Sequence, residues 1–243
     1  MPSIRLRTRR LLRRLGYDII RCNPKDPGRD PFLDMTRFLT GVRRPLIFDV
    51  GANLGQSIAQ LHEAFPGAVI HSFEPSPTTY AELKRRSQGM ADVNLWNLGV
   101  GASTGSLPLL ENSDSDMSSF LAPGPTAWGN IVQTSAVPVV TLDDFTAQKQ
   151  IEHVHVLKSD TQGYDFEVLK GCERLFAENR IDLIYYEVIV SHMYDSLPAF
   201  YDVFRFLAER GFSLVSLYDQ HYQNGMLSWT DVLFARSQAK LER

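Results

Sequence analysis

Cysteine is nearly absent from this chain of 243 residues: Cys22 and Cys172 are the only two, and they lie far apart in sequence. A disulfide framework and a cysteine-rich zinc site are therefore excluded. No apolar run approaches the roughly 20 residues that a membrane-spanning helix requires. The amino-terminal end carries no apolar signal core, so a reducing cytoplasm is the expected compartment. Neither sign of charge dominates. With 25 basic and 28 acidic side chains the net charge is −3, which gives no overall attraction for nucleic acid. Hydrophobic residues at 44% and charged residues at 22% match an ordinary globular chain, which excludes wholesale disorder. Internal repeats and low-complexity tracts are missing too. The length suits one domain with a substantial core.

Two nucleotide-site signatures are also missing. The dinucleotide pattern G-x-G-x-x-G does not occur after the first apolar strand, and no lysine follows its glycines to cradle a phosphate. What does occur is Leu-Ile-Phe-Asp-Val-Gly-Ala-Asn-Leu-Gly-Gln-Ser over residues 46–57. An apolar run, Leu46–Phe48, ends in Asp49; glycines at 51 and 55 follow; a helical pattern then begins. This predicts a buried parallel strand that breaks into a tight turn under a helix N-terminus. Glycine lets a ligand press against bare backbone there. A second strand, Val69–Phe73, ends in Glu74, 25 residues after Asp49. An acid at that strand tip suits ribose hydroxyls. An acid beside the first turn would repel a pyrophosphate and suit an ammonium or sulfonium group. The D-x-G-x-N-x-G string resembles the first motif of S-adenosylmethionine (SAM)-dependent methyltransferases.

Residues 1–44 read as an N-terminal basic arm followed by a capping helix, and residues 45–243 as the catalytic domain. The arm carries Arg5, Arg7, Arg9, Arg10, Arg13 and Arg14 and no acid within its first 14 residues. As a helix it would place Ile4, Leu11, Leu12 and Leu15 on one side. Two readings follow: an arm or helix resting on the domain, or peripheral contact with an anionic inner membrane face. Turn dipeptides mark residues 23–31, and Phe32–Leu39 has helical spacing. That helix is expected to cap the sheet near the cofactor pocket.

Beyond the connector, strand and helix alternate, which points to an α/β, doubly wound, mostly parallel sheet with helices on both faces. Strands are predicted near Leu46–Val50, Val69–Phe73, Val93–Asn97, Val154–Ser159, Leu183–Val188, Phe212–Leu217 and Asp231–Ala235. Helices are predicted near Gln56–Phe65, Pro77–Arg86, Tyr164–Phe176 and Leu197–Arg210. The last two strands, joined through Asn224-Gly225, form an antiparallel pair. Residues 105–110 and 137–141 look like short strands. Between them, 111–135 is rich in Ser, Asp, Gly and Pro. With Met117, Phe120, Leu121 and Trp128 as apolar anchors, it reads as a substrate lid. Its aromatic, hydroxyl and carboxylate side chains also suit a sugar face.

LIFDVGANLGQS, FPGAVIHSFEPSPTTYAEL, NLGVG, MSSF, VPVVTLDDF and LKSDTQGYDFEVLKG occur in the order seen in FkbM-family methyltransferases, which the chain resembles over about residues 45–190. The resemblance implies a class I, Rossmann-like, seven-stranded fold with an antiparallel last strand. It implies SAM as cofactor and O-methylation of a carbohydrate, glycolipid or natural-product hydroxyl. It puts the methionine end of SAM against Asp49, Gly51, Asn53 and Gly55, where Gln56 and Ser57 open the helix. Glu74, followed by Pro75, would hold the ribose hydroxyls. Leu98 and Gly99 would lie near adenine, and Asp160 at the carboxyl end of the fourth strand. The family's D-V-E-G-x-E reads Asp160-Thr161-Gln162-Gly163-Tyr164-Asp165 here. Its last acid is thus shortened to Asp165.

Independently of that resemblance, Asp49, Glu74, Asp160 and Glu187 all fall near carboxyl strand ends, where open parallel sheets gather ligands. A sugar hydroxyl is a weak nucleophile and benefits from a base or a metal. Asp160 is the first candidate base, His192 the second; Glu187 is either a further catalytic acid or a structurally paired one. Asp160, Glu187 and Asp165 offer oxygen ligands that Mg²⁺ favours, although no fixed-spacing metal motif is present. His153 and His155 share one side of a strand but sit at its start, so packing or surface roles are expected. Two other readings stay open: an NAD-linked oxidoreductase, and a non-catalytic subunit of a glycan-synthesis complex. Monomer and homodimer are both compatible with the sequence.

Overall fold

The computed structural model describes residues 12–15 and 26–237. Most of the arginine-rich arm, and with it the question of membrane contact, lies outside the described residues. Asp30 caps the first helix, α1 (Pro31–Phe38), by accepting from the amides of Phe32 and Leu33, with Pro31 in the first turn. Seven strands form the main sheet: β1 (Leu46–Val50), β2 (Val69–Phe73), β3 (Val93–Trp96), β7 (Val154–Ser159), β8 (Ile181–Ile189), β9 (Phe212–Gln223) and β10 (Met226–Arg236). Their order is β3-β2-β1-β7-β8-β10-β9. The first five run parallel, while β10 lies antiparallel between β8 and β9.

Both faces of the sheet are covered. Helices α1, α2 (Gln56–Ala64) and α3 (Pro77–Arg86) pack Met35, Ile58, Leu61 and Leu83 over one face. On the other face α4 (Leu142–Lys149), α5 (Asp165–Lys170), α6 (Glu173–Ala177) and α7 (Phe200–Glu209) bury Phe145, Val168, Leu175 and Leu207. Phe145 sits edge-on to Phe48, Phe73 and Trp96, with centroids 4.8–5.7 Å apart. A small second sheet, ordered β4-β6-β5, joins β4 (Gly99–Val100), β5 (Gly105–Asn112) and β6 (Ile131–Val140).

Several boundaries differ from expectation for identifiable reasons. The predicted helix over 164–176 is two helices, separated at Gly171–Cys172. Gly171 packs against the backbone of Gly101, and Asp143 of α4 accepts the amides of Arg174 (2.7 Å) and Leu175 (3.0 Å). That remote carboxylate starts a new helix. Helix α4 itself was not expected; Thr141 caps it through the amide of Asp144 at 2.9 Å. The 111–135 excursion is shorter than predicted because β5 runs to Asn112 and β6 starts at Ile131. What remains is fastened: a 3₁₀ turn at Ser115–Met117, a bridge between Leu110 and Ser119, and a bridge between Pro123 and Tyr194.

Candidate active site

Local rules build the floor of the site. Gly51 has φ +76, and a Cβ there would overlap the carbonyl oxygen of Asp160. Only glycine lets the β1 turn pass so close to the end of β7. Gly55, with φ +92, opens α2 without a side-chain cap. Ser76 caps α3, and its hydroxyl also donates to Glu111 at 2.5 Å.

A cavity opens at the carboxyl ends of β1, β2 and β7. Gly51, Asn53, Glu74, Pro75, Leu98, Gly99 and Asp160, all predicted from sequence, line it together. Phe73, Val100, Leu109 and Phe120 form its apolar walls. Ser115, Asp116, Ser118 and Ser119 from the 113–130 segment also line it, with Val50, Thr161 and Gln162 from the ends of β1 and β7. No Lys, Arg or His appears among the described lining residues, whereas Glu74, Asp116 and Asp160 do. A pyrophosphate would find no counter-charge in this space, and a cationic nucleoside finds three acids.

Glu74 is buried, and its carboxyl oxygens accept the amides of Asn53 and Ser76, each at 2.9 Å. Burial pushes its pKa up to about 7, against the lowering effect of those two amides and of Lys158. A carboxylate has about four lone-pair sites, so acceptor capacity remains for a diol. The acceptor pair of Glu74, the apolar walls and the absence of bases fit the adenosine of SAM. When bound, that group would supply an electrophilic methyl on a positive sulfur.

An adjoining space shares Gly51, Asn53, Asp116 and Asp160 with the first. Gln56 and Ser57 line it, as do Phe32, Lys158, Tyr185, Glu187 and Asp231. Strand register explains the grouping. Asp49 lies beside Lys158, Lys158 beside Tyr185, and Glu187 opposite Asp231. Gln162, at φ +54 in the turn after β7, donates its amide to Asp160 Oδ1 and Glu187 Oε2, both at 3.1 Å. Its Oε1 accepts the Tyr194 hydroxyl at 2.9 Å. Burial and then the neighbouring Asp160, Asp165 and Asp231 raise the Glu187 pKa well above the usual range. Burial also brings Asp231 up to about 6, although the Tyr185 hydroxyl at 2.7 Å opposes the rise.

Four sequence expectations need correction. Asp49 is fully buried and lines neither space: Ser57 (3.0 Å), Ser72 (3.2 Å) and Lys158 (3.1 Å) surround its carboxylate. Those contacts make it a brace for the floor of the site. Gly55 likewise stays behind the turn, packed on Leu83. His192 is exposed and outside both spaces; its backbone oxygen accepts from Thr126 at 3.2 Å. Tyr194, two residues on, faces inward in its place. Asp165 is buried behind the turn, accepting from Ser159 Oγ at 2.5 Å and the Thr161 amide at 3.1 Å, so it holds the turn and faces no metal. Sequence reasoning missed Lys158, Gln162, Tyr194 and Asp231. The Lys-x-Asp spacing at 158–160 was the one visible signal.

At the other end of the sheet, His153 Nε2 lies 2.8 Å from Asp182 Oδ2, and His155 stands close by. His155 Nδ1 accepts the Leu46 amide at 3.0 Å. A neutral ring then carries its proton on Nε2, leaving no lone pair for a metal. The pair packs the sheet base, as expected from its place at the strand start.

Fold and site together define a SAM-dependent methyltransferase. A family model described as the methyltransferase FkbM domain matches residues 49–214. The chain belongs to the FkbM methyltransferase family. It is 25% identical over 224 residues to 31-O-demethyl-FK506 methyltransferase FkbM from Streptomyces tacrolimicus, covering 79% of this chain and 82% of the relative. It is 26% identical to methyltransferase 1 from Beauveria bassiana, with 69% of this chain and 72% of that protein covered. Among solved structures, an rRNA methylase from Streptococcus thermophilus superposes with a TM-score of 0.48 at 13% identity, covering 89% of this chain and 100% of the other. Among the described residues, no helix is long and apolar enough to cross a membrane.

Proposed function

We propose that this enzyme methylates a hydroxyl oxygen of a carbohydrate, glycolipid or related natural product. One observation carries the reading: a base-free, acid-lined nucleoside cavity opens directly onto a second space where Asp160 and Glu187 share the Gln162 amide. The acceptor hydroxyl would enter through the second space, under the 113–130 segment. Gln162 ties Asp160 and Glu187 together through one side-chain amide. Asp160, with its side chain 41% exposed, is the carboxylate placed to take the hydroxyl proton. Phe32 and Tyr185, in edge contact with each other, line the space on the α1 side. The name of the S. tacrolimicus relative makes 31-O-demethyl-FK506 its substrate, which supports an oxygen acceptor.

The test is transfer of label from methyl-labelled SAM across a panel of glycans, glycolipids and hydroxylated macrocycles. Turnover on a hydroxyl acceptor is expected. The variant Asp160→Ala should lose about 10²- to 10⁴-fold in kcat, the usual contribution of a positioned base, and keep its affinity for S-adenosylhomocysteine (SAH). Full turnover in that variant would remove Asp160 from the mechanism, and labelling only of nitrogen or carbon acceptors would refute the hydroxyl reading.

A further inference from the structure

Among the described residues lining the acceptor space, Lys158 is the single cation against Asp116, Asp160, Glu187 and Asp231. It projects from β7 between Asp49 on β1 and Tyr185 on β8. Its Nζ donates to Gly51 O at 3.2 Å and pairs with Asp49 Oδ1 at 3.1 Å. The distance to Asp160 Oδ2 is 3.7 Å, too long for a short hydrogen bond. An ammonium has three N–H donors, so one remains for an oxygen arriving between Lys158 and Asp160. Burial favours loss of its proton, but Asp49 and Asp160 outweigh that effect and hold the pKa above the ordinary lysine value.

The same geometry leaves no seat for Mg²⁺ between Asp49 and Asp160. Mg²⁺ demands oxygen ligands at about 2.1 Å in near-octahedral array. Asp49 already accepts from Ser57, Ser72 and Lys158, and the gap between Asp49 and Asp160 is occupied by Nζ. A divalent ion in that gap would face a fixed positive charge at contact distance.

We propose that Lys158 is a catalytic residue that takes the place of a metal ion, its ammonium gripping the acceptor oxygen so that methyl transfer needs no divalent cation. This rests on the hydroxyl-acceptor reading above. In the step, the acceptor oxygen bonds to the methyl carbon while the carbon–sulfur bond breaks, leaving its electron pair on sulfur. The hydroxyl proton passes to Asp160. Negative charge developing on the oxygen as that proton leaves is met by the Lys158 charge, already fixed in place.

Three measurements decide it. Wild-type turnover should be unchanged by EDTA and by added Mg²⁺ or Mn²⁺; stimulation by either ion overturns the proposal. In a His153→Ala background, which breaks the imidazole pair at the far end of the sheet, a paramagnetic Mn²⁺ titration should show no site tighter than about 1 mM. A tighter site that weakens on Asp160→Asn overturns it as well, and this readout needs no substrate. Finally, measured well above pH 7 so that Glu74 stays ionised without the Lys158 charge, Lys158→Gln should bind SAH within about threefold of wild type yet lose at least ~100-fold in kcat, and Lys158→Arg should recover part of the loss. A Lys158→Gln enzyme at wild-type kcat overturns the proposal. If Lys158→Gln does not fold, the two metal measurements on folded protein still decide. Failure of the hydroxyl reading would look different: wild type would bind SAH and methylate no hydroxyl acceptor, with or without metal.

Discussion

Glu74 makes cofactor affinity pH-dependent in a direction that can be worked out. In the free protein its pKa is about 7, raised chiefly by burial. Ribose hydroxyls donate to a carboxylate and favour its ionised form, so a bound nucleoside lowers that pKa. Binding is therefore strong above pH 7 and is lost as pH falls through 7. Between pH 8 and pH 6 the ionised fraction drops from about nine-tenths to about one-tenth, which weakens SAH binding about tenfold, or ~1.4 kcal/mol. Calorimetry at several pH values, in buffers of different ionisation enthalpy, reads both the affinity and the proton released. Near pH 6 the expected release approaches one proton per SAH. Glu74→Gln should bind more weakly at pH 8 and show a flat profile from 6 to 8. A flat wild-type profile, or the same slope in Glu74→Gln, would refute the placement of Glu74 on the nucleoside.

Other perturbations follow from single contacts. Gly51→Ala puts a methyl into the Asp160 carbonyl at positive φ, so soluble folded protein and SAH binding should both be lost; a well-folded variant would contradict the close approach of β1 and β7. Phe145→Ala empties the centre of the Phe48–Phe73–Trp96 cluster and should cost about 3–5 kcal/mol in denaturant unfolding. Asp231→Asn should leave stability near wild type at pH 4 and raise it, on the order of 3 kcal/mol, above pH 6. The sign follows because a carboxyl raised from 3.8 to about 6 disfavours the folded state only once ionised. Thermal melts of both proteins across pH 4–8 check it, and a constant difference would show that Asp231 is not perturbed.

Much of the fold was legible because its signals are local. Leu46–Phe48 is a short apolar run ending in Asp49, Val69–Phe73 is a short β-branched and aromatic stretch ending in Glu74, and both strands appear where expected. Ser76-Pro77 announces α3, whose limits match the prediction at both ends. The split between α5 and α6 was invisible, since the carboxylate that caps α6 comes from Asp143, some thirty residues upstream. Glu74, Pro75, Leu98, Gly99 and Asp160 converge because strand ends of a parallel sheet must converge. His192 was misplaced because the direction of a side chain on a loop depends on what that loop packs against. Here the 192–194 segment pairs with residues 123–126 and turns Tyr194 inward.

What the sequence determined by itself was the alternation of strand and helix, the glycine turn after β1, the acid at the tip of β2 and the family to which they belong. Each rests on neighbours within a few positions along the chain, where periodicity and backbone preference act. Only the tertiary structure decided that Asp49 is a buried brace, that Lys158 stands among carboxylates, and that Gln162 ties Asp160 to Glu187. Those outcomes depend on the register of β1, β7 and β8 and on the path of the 113–130 segment. Cross-strand pairing and packing, which join residues far apart in sequence, set both.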